Sequence, residues 1–302
     1  MYTRHYGLRE KPFSLTPDPR YLYLSASHRE ALAHLLYGIE QGEGFIAVTG
    51  EVGTGKTTLC RTLLERLGAD TEVAYLFNPR LTGLELLEAI HRELELPSEG
   101  TRAQLLDRLN RFLLETSGKG RRVLLLVDEA QNLPVETLEE LRLLSNLETS
   151  TEKLLQIVLF GQPELDALLD SPELRQLRQR IGVRWRLDPL SEPEARDYVR
   201  HRLRVAAGAD AELFTPAALR ELRRRSRGVP RLVNLLADRA LLAGYADGSH
   251  RVERAHVGRA AREILRARDR RRGRGFPTWR RLAGSHHDGQ GGRSGETEKR
   301  SE

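Results

Sequence analysis

The stretch Gly50-Glu51-Val52-Gly53-Thr54-Gly55-Lys56-Thr57-Thr58 decides the fold class of this chain. It follows an apolar run at 45–48 and leads into residues 59–64, whose apolar spacing is that of a helix. A strand, a glycine-rich turn and a helix start are the context in which this pattern binds phosphate. The glycines let successive backbone N–H groups face an anion, and the helix N-terminus adds partial positive charge. The sequence therefore predicts a P-loop and a bound nucleotide.

The residue types within this loop predict separate roles. Lys56 is expected to reach the β- and γ-phosphates, and the Thr57 hydroxyl is expected to coordinate Mg²⁺. The predicted nucleotide-binding residues of the loop are Gly50, Glu51, Val52, Gly53, Thr54, Gly55, Lys56, Thr57 and Thr58.

A second apolar run, 123–127, ends in Asp128-Glu129. Its unbroken apolar character is typical of a central parallel strand buried on both faces. A strand that delivers two acids at its C-terminal end indicates a Walker B element, in which Asp128 holds Mg²⁺ and Glu129 polarises the attacking water. A solvated acidic turn is the alternative, and the P-loop upstream favours the catalytic interpretation.

Further strands are predicted at 73–77, 155–160 and 182–187, separated by helical patterns that include 133–147 and an arginine-rich helix at 172–181. Alternating strands and helices indicate an α/β fold with a parallel sheet. Gln162 follows one of these strands. It either positions the water against the γ-phosphate or is a polar residue of the turn.

The two ends of the chain have different patterns. Residues 1–42 read as an extended arm and a helix at 28–41 capped by Ser27 and Glu30, which either line the adenine pocket or pack on the ATPase core. The ATPase domain is predicted at 43–189. A helical lid follows at 190–267, starting with a capping box of Ser191 and Glu194 and containing helices at 195–207, 215–225, 230–243 and 252–267.

The charge of the chain is concentrated at its C-terminal end. Residues 266–302 contain 11 Lys/Arg and 5 Asp/Glu, a difference equal to the whole net charge of +6. We expect a disordered basic tail at 268–302, which either keeps the protein soluble or touches nucleic acid or an acidic membrane. A single cysteine, Cys60, and the lack of a signal peptide or an apolar run of bilayer length predict a cytoplasmic protein.

Four separate segments together resemble one family, the ExeA/general secretion pathway protein A family of AAA+ ATPases, and at motif level the TniB-type helper ATPases of transposition. The resemblance covers about residues 2–265. The segments are Tyr6-Gly7-Leu8 with Pro12-Phe13 and Pro17-Asp18-Pro19, the P-loop, Asp128-Glu129-Ala130-Gln131, and Gly161-Gln162-Pro163-Glu164-Leu165. The family implies an α/β ATPase domain with a helical lid, and ATP and Mg²⁺ as its ligands.

The resemblance also implies two arginine roles. Arg231, in Gly228-Val229-Pro230-Arg231, matches the family's sensor 2, which contacts the γ-phosphate. Arg175, Arg178 and Arg180 precede the last strand, where AAA+ proteins often carry an arginine finger for a neighbouring subunit, and we favour Arg180. Surface solvation is the alternative for each.

The implied function is ATP hydrolysis that drives assembly or remodelling of a secretion or envelope system for exopolysaccharide or protein export. The partners would be further copies of the chain, in a ring, and a membrane or secretion-system protein that brings it to the inner membrane. Secretion-type members often continue into a membrane span and a peptidoglycan-binding region, neither of which we expect here. The alternative is an ATP-dependent DNA-binding adaptor, with the patch 220–227 as its basic surface.

Overall fold

A parallel sheet forms the centre of the protein. The computed structural model describes residues 1–16, 18–77, 80–149 and 152–272, with side chains up to 264. Within these residues the strands of the sheet are β1 Phe45–Gly50, β2 Thr71–Phe77, β3 Arg122–Asp128, β4 Gln156–Gly161 and β5 Ile181–Leu187. The predicted α/β parallel-sheet fold is confirmed, and each strand lies within two residues of its predicted bounds.

The order of the strands in the sheet is β2-β3-β4-β1-β5, with every pairing parallel. Strand β4 therefore lies between β1 and β3, although it follows both in sequence. Thr49 of β1 pairs with Gly161 of β4, and Val127 of β3 pairs with Leu159. This register aligns the C-terminal ends of the three strands, so the residues that follow each strand meet at one edge.

Helices precede, separate and follow the strands. Their bounds are α1 Tyr2–His5, α2 Ala26–Glu40, α3 Lys56–Arg66, α4 Gly83–Glu93, α5 Arg102–Gly118, α6 Val135–Leu144, α7 Pro163–Leu169, α8 Arg175–Arg178, α9 Glu192–Ala207, α10 Pro216–Ser226, α11 Pro230–Ala246 and α12 Arg254–Arg272. Short 3₁₀ helices lie at Pro19–Tyr21 and Ala130–Asn132. No helix in these described ranges has the length and apolar character needed to cross a bilayer.

Apolar side chains cover both faces of the sheet. In β1, Phe45 and Ala47 belong to a core shared with α4, α5 and α6, whereas Ile46 and Val48 belong to a core shared with α2 and α3. The alternation follows from the two-residue period of a strand, and all six residues of β1 are buried. Burial on both faces makes β1 a rigid base for the loop that follows it.

The start of α2 differs from the prediction. Its N-cap is Ser25 and not Ser27, and the helix begins at Ala26. The Ser25 hydroxyl accepts a hydrogen bond from the backbone N–H of His28, while the Ser27 hydroxyl accepts one from the backbone of Asp188. The predicted Ser27–Glu30 capping box is therefore wrong, because burial of His28 places the cap two residues earlier.

The predicted helix at 172–181 is also wrong. Only the single turn α8 forms there, with Leu174 and Leu177 buried in the core, and β5 begins at Ile181. Burial of Leu174 and Leu177 and the start of the edge strand β5 at Ile181 leave room for a single helical turn. By contrast, the capping box of Ser191 and Glu194 at the start of α9 is present.

The arm before α2 packs on the helices that follow the sheet. The backbone N–H of Arg9 donates to the carbonyl of Ala206, and the ring of Phe13 meets Phe214 edge-on at 6.0 Å. One of the two sequence interpretations placed both parts of 1–42 on the ATPase core. Helix α2 does pack there, whereas the arm lies on the helical region because its aromatic side chains find apolar partners in it.

Residues 1–261 form one compact unit, and of the residues that follow it the structure describes 262–272, the C-terminal part of α12. The last helix thus extends five residues past the predicted end of the lid. The remaining part of the predicted tail, 273–302, lies outside the described residues.

Candidate nucleotide-binding site

Two glycines shape the P-loop between β1 and α3. Gly53 has φ +85° and Gly55 has φ +106°, a region that side chains rarely adopt. A Cβ at Gly53 would lie 2.5 Å from the Cβ of Arg231, and a Cβ at Gly55 would lie 2.6 Å from Nε2 of His28. Both the backbone conformation and the close neighbours therefore require glycine, and the loop is enclosed by α2 on one side and α11 on the other.

Lys56 is the first residue of α3 and is buried. Its Nζ donates hydrogen bonds to the carbonyls of Gly50, at 2.7 Å, and Glu51, at 3.3 Å. Burial lowers the pKa of Lys56, while the carboxylates of Glu129 and Asp128 act in the opposite direction. The result is an ammonium group held at the loop, beside the backbone N–H groups that can bind phosphate.

Asp128 ends β3 and is fully buried. Its Oδ2 accepts a hydrogen bond from the Thr57 hydroxyl at 3.0 Å and a longer one from Tyr75 at 3.4 Å, and its Oδ1 accepts one from the backbone of Glu129 at 2.9 Å. Burial raises the pKa of Asp128, and the bonds from Thr57 and Glu129 oppose that rise. The hydroxyl and the carboxylate are oxygen ligands of the kind that Mg²⁺ prefers, so these residues fit that ion.

Glu129 has a left-handed backbone with φ +55°, which turns the chain away from β3. Its Oε2 accepts hydrogen bonds from the side-chain amides of Gln131, at 2.6 Å, and Gln162, at 2.8 Å. Burial opposes ionisation of Glu129, but these two hydrogen bonds outweigh it and hold its pKa below the usual value. The carboxylate is thus ionised at neutral pH, as a general base must be.

Gln162, the residue after β4, donates one of these hydrogen bonds to Glu129. Because β4 lies between β1 and β3, the residue after β4 reaches the acids at the end of β3. The backbone N–H of Gln162 also donates to Oε1 of Gln131 at 3.0 Å. The hydrogen bond from Gln162 to Glu129 favours the interpretation of Gln162 as a residue near the reacting water over that of a polar turn residue.

The two predicted arginines lie in different places. Arg231 is in the first turn of α11, and its backbone N–H donates to the carbonyl of Gly53 at 3.2 Å, so it adjoins the P-loop. Arg180 is exposed and donates to the Ser145 hydroxyl at 3.3 Å. Within the described residues, Arg180 does not line the cavity at the P-loop, whereas Arg231 does.

The cavity beside the P-loop has a volume of about 450 Å³. Its walls come from the P-loop, the first turns of α3, the arm, α9 and α11, and a volume of this size suits a small-molecule ligand. Arm residues in the lining include Leu15, Tyr21 and Tyr23. The arm therefore lies where a nucleobase could bind, and of the two sequence interpretations of the arm this position favours the pocket.

Three residues of the site were not predicted from the sequence: His28, Tyr75 and Arg202. His28 is buried at 3% exposure, and its Nε2 lies 3.0 Å from the carbonyl of Thr54 in the P-loop. The sequence did contain a signal, because His28 continues the apolar face of α2 formed by Leu32, Leu35 and Ile39. A polar residue at such a position needs a buried partner, and here that partner is the P-loop.

Comparison with known proteins agrees with this geometry. A family model described as an AAA domain matches residues 39–169. The chain is 52% identical, over 271 residues, to general secretion pathway protein A of Aeromonas hydrophila. That match covers 89% of this chain but 49% of the relative, so the chain spans about half the length of the curated relative.

Solved structures with the same fold are more distant in sequence. Cdc6p of Pyrobaculum aerophilum has a TM-score of 0.62 at 20% identity, covering 84% of this chain and 70% of that one. The ORC1 protein of Aeropyrum pernix, solved in complex with DNA, has a TM-score of 0.61 at 22% identity, covering 90% and 74%. The RuvB Holliday junction branch migration motor of Thermotoga maritima has a TM-score of 0.54 at 21% identity, covering 82% and 73%. At these identities the likeness is one of fold alone.

Proposed function

This chain belongs to the AAA ATPase family of general secretion pathway protein A, and we propose that it binds and hydrolyses ATP with Mg²⁺. One observation carries the proposal: Thr57 at the start of α3, Asp128 and Glu129 at the end of β3, and Gln162 after β4 come together at the P-loop. The alternative is a network of charged residues that only stabilises the fold. Such a network would not explain why a glycine-rich, anion-binding loop lies at the same place.

The P-loop holds the triphosphate through its backbone N–H groups. Lys56 releases its bonds to the carbonyls of Gly50 and Glu51 and turns to the β- and γ-phosphates. Thr57 and Asp128 hold Mg²⁺, which, when bound, neutralises charge on the phosphate oxygens.

Glu129 and Gln162 act on the attacking water. The ionised Glu129 carboxylate orients the water and accepts its proton, and the Gln162 amide fixes the carboxylate and the water relative to each other. Arg231, beside Gly53 at the start of α11, contacts the γ-phosphate and thereby connects the nucleotide to the helical region.

The hydrolysis drives assembly or remodelling of a secretion or envelope system, in which several copies of the chain work together with a membrane or secretion-system protein. In such an oligomer Arg180 acts on the nucleotide of a neighbouring copy. Its exposure, and its position outside the cavity lining in the described part of its own chain, support a role in trans. We propose a cytoplasmic location, at the inner membrane through partners.

ATP hydrolysis by the purified protein tests the proposal, with Lys56→Ala and Glu129→Gln as variants and the exposed Lys119→Ala as control. We expect Lys56→Ala to lose nucleotide binding. Glu129→Gln should bind ATP but hydrolyse it about 10²- to 10⁴-fold more slowly, the usual contribution of a general base. Unchanged turnover in Lys56→Ala would refute the site, and unchanged turnover in Glu129→Gln would remove its role as base.

The same assay with duplex DNA separates the secretion role from the DNA adaptor. Within the patch 220–227, buried Glu221 pairs with Arg224, at 2.6 Å, and Arg225, at 2.8 Å, which neutralises part of the basic surface. We therefore expect no stimulation by DNA. Strong stimulation that disappears as salt rises would favour the DNA adaptor instead.

A further inference from the structure

Arg202, in the middle of α9, is buried at 7% exposure and lies in the wall of the nucleotide cavity. Its guanidinium donates three hydrogen bonds: from Nε to the Pro12 carbonyl at 2.6 Å, from Nη2 to the Ser14 carbonyl at 3.2 Å, and from Nη1 to the Tyr198 hydroxyl at 3.1 Å. Two of these bonds go to the backbone of the arm, so Arg202 joins the arm to α9.

The charge of Arg202 is balanced in an uncommon way. Among the described residues it forms no ion pair with a carboxylate. Instead the guanidinium lies over the rings of Tyr21, at 4.7 Å, and Tyr198, at 5.6 Å. Burying an unpaired cation is costly, and an apolar side chain would join two elements at a lower cost. The planar guanidinium provides what an apolar group cannot, a fixed direction for each of three donors.

This cluster continues towards the P-loop. The Tyr198 hydroxyl donates to Oδ1 of Asn234 on α11 at 2.9 Å. Asn234 follows Arg231 by three residues, which places both on one face of α11, and the backbone of Arg231 contacts Gly53. The arm, α9, α11 and the P-loop are thus connected by direct contacts around one cavity.

The cavity has two chemically different parts. The P-loop provides backbone N–H groups and Lys56, which suit a polyphosphate. The arm provides Leu15, Tyr21 and Tyr23 beside Tyr198, which suit the flat apolar faces of a nucleobase, for which aromatic stacking is favourable. The P-loop follows the buried end of β1, whereas the arm wall depends on the contacts that hold residues 12–16 and 18–23.

We propose that Arg202 is a positioning residue that holds arm residues 12–16 and 18–23 as the nucleobase wall of the cavity, and so sets affinity for the nucleoside part of ATP but not for its polyphosphate. The inference rests on the proposed binding of ATP. Without the guanidinium, the carbonyls of Pro12 and Ser14 lose their partner and the wall is no longer ordered before the nucleotide binds.

The test compares three ligands on the full chain: Mg-ATP, Mg-ADP and inorganic tripolyphosphate. In Arg202→Met, which keeps the length and apolar stem of the side chain, we expect the Kd of ATP and of ADP to rise by the same factor, about tenfold or more for the loss of the paired hydrogen bonds. The inhibition constant of tripolyphosphate should stay within about twofold of the wild-type value, since the P-loop is unchanged. KM for ATP should rise while kcat at saturation stays nearly constant.

Arg204→Met on the same helix is the matched control, because Arg204 is exposed and pairs with Asp210 at 2.6 Å. It should leave all three constants unchanged. Arg202→Lys keeps the charge without the planar fork and should weaken ATP and ADP by an intermediate factor.

Two results would overturn the inference. One is an Arg202→Met variant with wild-type affinity for ATP. The other is an equal loss for tripolyphosphate and ATP, which would mean that the substitution damages the whole site. A wild-type protein that does not bind ATP would instead refute the proposed function itself, so the two failures are distinguishable.

Discussion

Replacing His28 by alanine tests whether α2 supports the P-loop. Nε2 of His28 lies 3.0 Å from the Thr54 carbonyl and Nδ1 lies 2.6 Å from the Ser25 hydroxyl. Because a carbonyl can only accept, Nε2 carries the proton and Nδ1 accepts from the hydroxyl of Ser25. The alanine variant loses both bonds and leaves a cavity beside the loop. At about 1 kcal/mol for each bond plus the cavity, we expect unfolding free energy to fall by about 2–4 kcal/mol.

The same variant should change how stability depends on pH. Burial lowers the pKa of His28, and the bond to Thr54 and the Glu194 carboxylate oppose this only in part. The folded protein therefore binds a proton less readily than the unfolded chain, whose histidine titrates near 6.5. The wild-type protein consequently loses stability as pH falls below about 6.5 towards the lower folded pKa, and His28→Ala lacks this loss.

Urea unfolding at pH 7.5 and pH 5.5 measures both effects, and ATP affinity at pH 7.5 reports on the loop. Ser25→Ala is the matched control, because it keeps the imidazole against Thr54 and should lose about 1–2 kcal/mol for the cap and one hydrogen bond, without a cavity beside the loop. We expect weaker ATP binding in His28→Ala than in Ser25→Ala. A loss of stability below about 0.5 kcal/mol in His28→Ala, or an unchanged pH dependence, would refute support of the P-loop by this histidine.

Three other substitutions test separate parts of the structure. Gly55→Ala places a Cβ against His28 at a positive φ, so we expect a loss of about 1–3 kcal/mol in thermal unfolding and weaker ATP binding, and wild-type values for both would contradict the strained geometry. Mixing Arg180→Ala with Lys56→Ala subunits should restore part of the ATPase rate if Arg180 acts in trans, and no recovery would leave the finger unassigned. Glu221→Gln should cost about 1–2 kcal/mol at pH 7, measured by urea unfolding, because hydrogen bonds from exposed arginines hold the pKa of Glu221 at about 2. This stabilisation is present above pH 4.5 and disappears as pH falls towards 2. Equal stability of variant and wild type at pH 7 would contradict it.

Local patterns were sufficient to predict the strands and most of the helices. The apolar runs of β1 and β3 are long and unbroken because both strands are buried on both faces, and that pattern needs no knowledge of neighbours. Where the prediction was wrong, at the cap of α2 and at α8, the bounds depend on which side chains are buried. His28 and Leu177 are buried by elements distant in sequence, which a local pattern does not contain.

The family resemblance and the P-loop also followed from residues alone, because glycine spacing, Lys56 and Thr57 lie within one short stretch whose backbone geometry is local. By itself the sequence thus determined the fold class, the phosphate-binding loop and the acids at the end of β3.

Only the tertiary structure decided which distant residues complete the site. The insertion of β4 between β1 and β3 brings Gln162 to Glu129, and packing of the arm on α9 brings Arg202 to the carbonyls of Pro12 and Ser14. The sequence separation is 33 positions between Gln162 and Glu129 and 190 positions between Arg202 and Pro12. The physical reason is that strand order and helix packing are set by burial of whole apolar faces, a property of the assembled chain that no single segment carries.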